Sequence, residues 1–160
     1  MARILSVDLG EKRVGLALSD PEERLATGLP TRNVTGLKDA VRQVAAEAAA
    51  HGAMRLVVGL PLSLDGSEGP AASRVREFVR RLKEAVRVPI ELLDERFTTA
   101  EAGRALRGTH AGRDRAGGAF DQGAAILLLQ AYLDAARMRR ERDAAPGEGG
   151  ERGPGGEEPA

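Results

Sequence analysis

Three acidic positions, in separate segments of the 160-residue chain, stand where a side chain could do chemistry. Asp8 ends the apolar run Ile4–Leu9 and is followed at once by Leu9-Gly10. The carboxyl end of a buried strand is where open α/β sheets carry their sites, although an Asp there also serves as a turn-former. Asp94-Glu95-Arg96 again follows an apolar run. Successive side chains of a strand face opposite ways, so at most one of these two acids can share a site with Asp8. The other would pair with Arg96 or help start the next helix. Asp121 is the least ordinary of the acids, because Ala125, Leu128 and Tyr132 follow it at helical spacing and place it on an apolar stripe. A carboxylate facing a core is costly unless a cation or hydrogen bonds compensate it; capping the helix start is its competing use.

Carboxylates gathered from three segments suit a hard divalent cation, Mg²⁺ or Mn²⁺, held with the help of waters and substrate phosphate. Two such ions about 4 Å apart can activate water and stabilise the leaving oxygen in phosphodiester cleavage. The chain has no cysteine, which excludes thiolate metal sites, disulfides and thiol catalysis. Its two histidines, His51 and His110, cannot build a zinc site of the usual kind. Val58–Pro70 offers glycines and the hydroxyls of Ser63 and Ser67 ahead of a helix N-terminus, a place that suits a phosphate. It lacks the Gly-Lys-Ser/Thr ending of a Walker loop, and a plain strand–loop–helix connection is its other reading. Lys12 and Arg13 follow Asp8 closely, Arg96 follows Glu95, and Arg113 and Arg115 lie with His110 in the Gly-rich stretch Gly108–Gly118. These five cations are candidate phosphate contacts, which position a nucleic acid without reading its sequence.

The elements that must hold these residues follow from the apolar pattern. Ile4–Leu9 and Val14–Leu18, joined by Gly10-Glu11-Lys12, read as a β-hairpin. Leu25–Val34 is a third extended piece, interrupted by Gly28 and Pro30. Thr35 offers an N-cap to a helix carrying Leu37, Val41, Val44 and Ala48, which ends at His51-Gly52. Leu56–Leu60 is continuously apolar, as a strand covered on both faces would be. Ser67–Val86 shows a helical stripe of Val75, Phe78, Val79, Leu82 and Val86, and Pro89–Leu93 is a further strand. Thr98 to Glu101 has capping-box spacing and should open a short helix ending near Gly108. The last helix spans about Ala119 to Arg142 and is apolar nearly all round between Ala124 and Leu133. This order predicts an α/β fold with a mixed five-stranded sheet and helices on both faces.

Bulk properties bound the function. Residues 143–160 carry five acids, one Arg, six Gly and three Pro with no large apolar residue, and should form a disordered tail after a single domain at 1–142. Without them the body has 23 basic and 19 acidic residues, a net charge of +4 that permits a nucleic-acid partner without demanding one. Aromatic content of 2% argues against a base-stacking platform. No apolar run approaches a membrane span, and a cytoplasmic protein with no membrane partner is expected, either a monomer or a weak homodimer.

Four segments resemble, in order, the motifs of the YqgF family, a RuvC-like group of the RNase H-like superfamily. They are Asp8-Leu9-Gly10 through Ala17, Val58-Gly59-Leu60-Pro61 through Pro70, Asp94-Glu95-Arg96 through Ala102, and Asp121-Gln122-Gly123 through Leu133. The resemblance covers nearly all of the folded body. It implies an RNase H-like fold, metal-dependent nuclease activity, and Asp8, Glu95 and Asp121 as the carboxylates for two Mg²⁺ or Mn²⁺ ions, with Asp94 as an alternative to Glu95. It also implies a role at the 5′ end of precursor 16S ribosomal RNA, so structured RNA is the favoured partner. The family is similar to Holliday-junction resolvases as well, which keeps DNA open. A non-catalytic nucleic-acid or transcription-complex binding module is the rival from another class. An ATP-using relative is the second, but such enzymes close two domains around their nucleotide and this body has space for one.

Overall fold

The structure, a computed structural model, describes residues 3–97 and 119–145. Five strands form one mixed sheet in the order β3-β2-β1-β4-β5: β1 (Arg3–Leu9), β2 (Arg13–Ser19), β3 (Ala26–Asn33), β4 (Ala53–Leu60) and β5 (Ile90–Asp94). β1 pairs antiparallel with β2 and parallel with β4, while β4 pairs parallel with β5. Helix α1 (Leu37–Ala50) leads into β4, and α2 (Pro70–Ala85) lies between β4 and β5. A single 3₁₀ turn at Glu95–Phe97 follows β5, and helix α3 spans Ala119–Ala144. The hairpin closes tightly at Gly10, whose amide donates to the Arg13 carbonyl at 2.8 Å. A Cβ at Gly10 would stand 2.7 Å from that same oxygen, so the turn requires glycine.

Each face of the sheet has its own core, as the two-sided burial of β1 and β4 demands. Leu5, Val7, Leu56, Val58 and Leu60 pack with α1 and α2 through Val44, Val75, Phe78 and Leu82. On the opposite face Ile4, Ala17 and Val57 pack under α3 through Ala125, Leu129, Tyr132 and Leu133. Helices thus cover both faces, as the element order predicts. Three polar side chains also tie α3 to the sheet. The Ser6 hydroxyl donates to the Ala125 carbonyl at 2.8 Å. Gln130 takes the Ala26 amide at 3.0 Å and gives to the Arg24 carbonyl at 2.9 Å. Arg55 donates to the Tyr132 hydroxyl at 2.6 Å.

Some local expectations change. β3 forms in spite of Pro30 because it is an edge strand, where a missing amide costs no ladder bond. Its pairing with β2 slips between Val14 and Leu16, so one extra residue of β3 is taken up beside Pro30. Thr35 does not cap α1: Gly36 holds the cap position, and the Asp39 carboxylate accepts the Thr35 amide at 3.0 Å. That bond, together with Arg42, holds the Asp39 carboxyl below its ordinary range. α2 begins at Pro70 rather than Ser67, since proline's fixed φ suits the first helical position. The short helix expected from Thr98 and residues 146–160 of the tail lie outside the described residues, as do His110, Arg113 and Arg115. Among the described residues, no helix is long and apolar enough to cross a membrane.

Candidate active site

Strand parity decides which residues meet at the carboxyl end of the sheet. Ile4 packs under α3 and Ser6 bonds to it, so Asp8, two residues further along β1, faces the α3 side as well. Asp8 is half-buried at the last turn of the strand. In the neighbouring β4, Val7 pairs with Val58, which brings Gly59 level with Asp8. Adjacent strands lie about 5 Å apart, so the two backbones are close neighbours. Val57 belongs to the α3-side core, hence Gly59 turns its missing side chain to the same face.

Glu95 fills that space. A Cβ built on Gly59 would stand 2.5 Å from the Glu95 carboxylate oxygen Oε1 and 3.3 Å from its Cγ. The first residue of the 3₁₀ turn therefore sends its carboxylate back across β4 toward β1. Asp94 does the opposite. Ile90 and Leu92 pack in the α1/α2 core, and Asp94 continues their side of β5. There it accepts from the Arg96 guanidinium at 2.7 and 3.1 Å and from the Arg96 amide at 2.9 Å. Arg96 also reaches the Leu64 carbonyl at 3.4 Å and so clamps the loop after β4 to the end of β5. The Arg96 hydrogen bonds outweigh partial desolvation and hold the Asp94 carboxyl below its usual range.

Asp121 lies in the first turn of α3, four residues before Ala125. Ala125 sits over Ser6, so the N-terminal turn of α3 runs out above the end of β1 that bears Asp8. The Asp121 side chain is outside the described residues, and among those described no three acids or histidines gather as a metal cluster.

The remaining candidates scatter around this edge. Lys12 is exposed at the hairpin tip, where its carbonyl takes the Val34 amide at 2.9 Å; Arg13 is exposed at the start of β2. Ser67 spends both its amide and its hydroxyl on the Asp65 carboxylate, at 2.9 and 2.7 Å, and so braces the loop. Ser63 is exposed, and its backbone closes the same loop through Ser67 and Gly66. Two residues have a part here that the sequence reading did not give them. Gly59 is one, and its signal was a glycine inside a fully apolar strand, which marks a close approach. Arg74 is the other: from α2 it donates to the Glu11 carbonyl at 3.2 Å and ties the helix to the hairpin tip. Its Nε is buried with no partner among the described residues, and no sequence signal foretold it.

Gly59→Ala tests the clearance over β4. The colliding atom is the far end of a flexible side chain, so the fold should survive with a melting temperature close to that of the wild type. The carboxylate must nevertheless move, and a misplacement of about 1 Å in a reacting constellation costs on the order of 10²-fold. Catalytic rate beside a thermal melt reads both effects; unchanged rates would show that the Glu95 position is uncritical. Arg96→Ala tests the clamp. A depressed folded pKa contributes stability that is present above the unfolded value and lost as pH falls through the folded one. The gap in stability between wild type and Arg96→Ala should therefore be widest at neutral pH and close as acid protonates Asp94. Urea unfolding at about pH 7 and about pH 3 measures it, and an equal gap at both would mean that Arg96 acts through packing alone.

The RuvX family, described as Holliday junction resolvase, matches residues 2–135. A protein of Kineococcus radiotolerans named "Putative pre-16S rRNA nuclease" is 47% identical over 135 residues, 83% of this chain and 72% of its own length. One of the same name from Rhodopseudomonas palustris is 43% identical over 131 residues, 82% of each chain. The RuvC of T. thermophilus, solved in complex with a Holliday junction substrate, superposes with a TM-score of 0.60 at 15% identity, over 87% of this chain and 97% of its own. That likeness identifies the mixed sheet and its flanking helices as an RNase H-like fold. A match over most of the body, with relatives above two-fifths identity on the same span, leaves one conclusion: the chain belongs to the RuvX family of nucleases.

Proposed function

We propose that the protein hydrolyses phosphodiester bonds in structured RNA, trimming the 5′ end of precursor 16S ribosomal RNA in the cytoplasm. Asp8, Glu95 and Asp121 would hold Mg²⁺ or Mn²⁺. One observation carries the reading: the Glu95 carboxylate lies over Gly59, whose backbone is level with Asp8 at the end of the sheet that the first turn of α3 overhangs. The donor set fits such an ion, being oxygen alone, with the side-chain space of Gly59 left to a carboxylate. When bound, the ions would activate water and stabilise the leaving oxygen.

The chain's own residues divide the remaining work. Asp8 comes from a strand buried at the centre of the sheet, and Glu95 is confined by the strand end and the turn that follows it, so both carboxylates are preorganised. Lys12 and Arg13, exposed on the hairpin tip just past Asp8, suit phosphate oxygens beside the scissile bond. Arg113 and Arg115 are proposed for the same task from the segment that leads into α3. Arg96 is largely committed to Asp94, which leaves it a lesser share of any substrate contact. The relatives' names favour ribosomal RNA. The family description and the RuvC complex support a second reading, a DNA junction nuclease. Purified protein incubated with a 16S precursor fragment, linear duplex DNA and a four-way junction, each with Mg²⁺ or Mn²⁺, decides between them. Cleavage of the junction alone overturns the RNA reading.

Neutralising the acids should separate their roles. Asp8→Asn and Glu95→Gln should each lower metal-dependent cleavage by more than roughly 10²-fold, beyond the 10–100-fold typical of outer partners of a metal. Without metal, Asp8→Asn should melt at the wild-type temperature or slightly above it, because the gathered carboxylates repel one another. Asp94→Asn should retain most of the rate and lose stability instead. Equal, complete losses at positions 94 and 95 would refute the division by strand face. Lys12→Ala with Arg13→Ala should flatten the log–log salt dependence of substrate binding by up to about two units. A slope equal to that of the wild type would move the phosphate contacts elsewhere.

A further inference from the structure

Ser6 is one of only two buried polar residues among those described, and it lies in the strand that carries Asp8. The other, Ser19, takes the Ile4 amide at 2.8 Å within the sheet. Ser6 reaches out of the sheet: its hydroxyl donates at 2.8 Å to the Ala125 carbonyl of α3, 119 residues away. Both residues are fully buried, so no water can replace the bond and a displaced helix would leave the hydroxyl unsatisfied.

That directional bond matters because the packing around it lacks direction. α3 is apolar nearly all round between Ala124 and Leu133, and hydrophobic contact constrains neither the rotation nor the sliding of such a helix sharply. One residue of slip along α3 means about 1.5 Å of rise and about 100° of rotation, enough to remove the carbonyl from the hydroxyl. The remaining polar ties, at Gln130 and Tyr132, hold the helix further from its N-terminus. Ser6 is therefore the described tie nearest to the acids.

The geometry has a simple measure. Ile4 packs in the same cluster as Leu129, Tyr132 and Leu133, so α3 runs back along β1 from its carboxyl end. From the Ser6–Ala125 bond, Asp8 lies two strand residues onward, about 6.6 Å. Asp121 lies four helical residues in the same direction, about 6 Å. The bond stands one matched step behind both acids.

We propose that Ser6 is the positioning residue of the metal site: its hydroxyl seats α3 on β1, and that seating sets Asp121 at the level of Asp8 and Glu95. The proposal rests on the three-carboxylate reading above, so its test includes a control for that reading. Ser6→Ala removes the donor, while Ser6→Thr keeps a hydroxyl at the cost of an added buried methyl. The readouts are the rise in melting temperature on adding Mn²⁺ alone and the Mn²⁺ concentration that half-saturates cleavage. Ser6→Ala should raise the half-saturating concentration about 10–100-fold, the usual effect of removing an outer partner of a metal ligand, and shrink the Mn²⁺-induced rise. Ser6→Thr should respond to Mn²⁺ like the wild type even though its packing lowers the metal-free melting temperature. A purely structural serine would give the reverse order, with the metal response following stability. Asp121→Asn is the control and should lose both Mn²⁺ responses. If Asp121→Asn keeps them, the three-carboxylate reading falls and Ser6 with it. If Asp121→Asn loses them while Ser6→Ala matches the wild type, or if Ser6→Thr is shifted as far as Ser6→Ala, the positioning role alone is overturned.

Discussion

The structure depends on one strand having two different buried faces. β1 sits at the centre of the sheet, and its alternation sends Leu5 and Val7 to the α1/α2 core and Ile4, Ser6 and Asp8 to the α3 side. A slip of one residue in its pairing would exchange the two sets, burying the carboxylate among Phe78 and Leu82 and turning two apolar side chains toward the site. Pairing on both edges forbids that slip, antiparallel to β2 and parallel to β4. The same register brings Gly59 level with Asp8, and the parallel step to β5 pairs Gly59 with Leu93 and Leu60 with Asp94. A hydrophobic pattern that stabilises the core thus also sets where the acids stand.

Between neighbouring strands the site is made by clearance as much as by contact. A side chain at Gly59 would occupy the space that the Glu95 carboxylate takes, so the glycine contributes by what it lacks. The acid beside Glu95 is held apart from it by an ion pair, since Arg96 keeps Asp94 on the opposite face. Partition of adjacent acids limits the repulsion at the site, and charges brought together without a cation destabilise one another. The first turn of α3 suits the remaining acid, because the positive end of the helix dipole favours a carboxylate there whether or not an ion is bound. A carboxylate in that turn is favoured by the dipole alone, which is compatible with the metal-binding role proposed for it.

Much of this was legible because it is local. The hairpin, the doubly covered strand at Leu56–Leu60 and the opposite facing of residues 94 and 95 all follow from periodicity within a few residues. What was not legible depends on partners remote in the chain. Pro30 looks like a break until β3 proves to be an edge. Thr35 looks like a cap until Asp39 takes its amide instead. A serine inside an apolar run shows nothing of a carbonyl 119 residues away. The glycine in β4 reads as part of a phosphate loop, because the carboxylate that needs its space comes from a turn 36 residues later. The four motif segments were readable as a resemblance, whereas the roles proposed for their residues draw support from the geometry at the sheet's edge.

An RNase H-like fold shared at 15% identity with a junction resolvase does not carry a substrate with it. The proposed carboxylates, with the ions they would hold, would act on the phosphodiester, the part common to RNA and DNA. Discrimination must therefore come from groups that sense the sugar or the helix form, since the 2′-hydroxyl and the A-form grooves are what distinguish RNA. Such groups have to lie outward from Asp8 and Glu95, on surfaces that approach the nucleic acid beyond the scissile bond. The hairpin tip, with Lys12 and Arg13, and the loop braced by Asp65 and Ser67 flank the carboxyl edge of the sheet and are exposed. Arg74 fixes the first of these to α2, and Arg96 fixes the second to β5. Surfaces anchored in this way would meet a nucleic acid at a fixed position relative to the sheet end that bears Asp8.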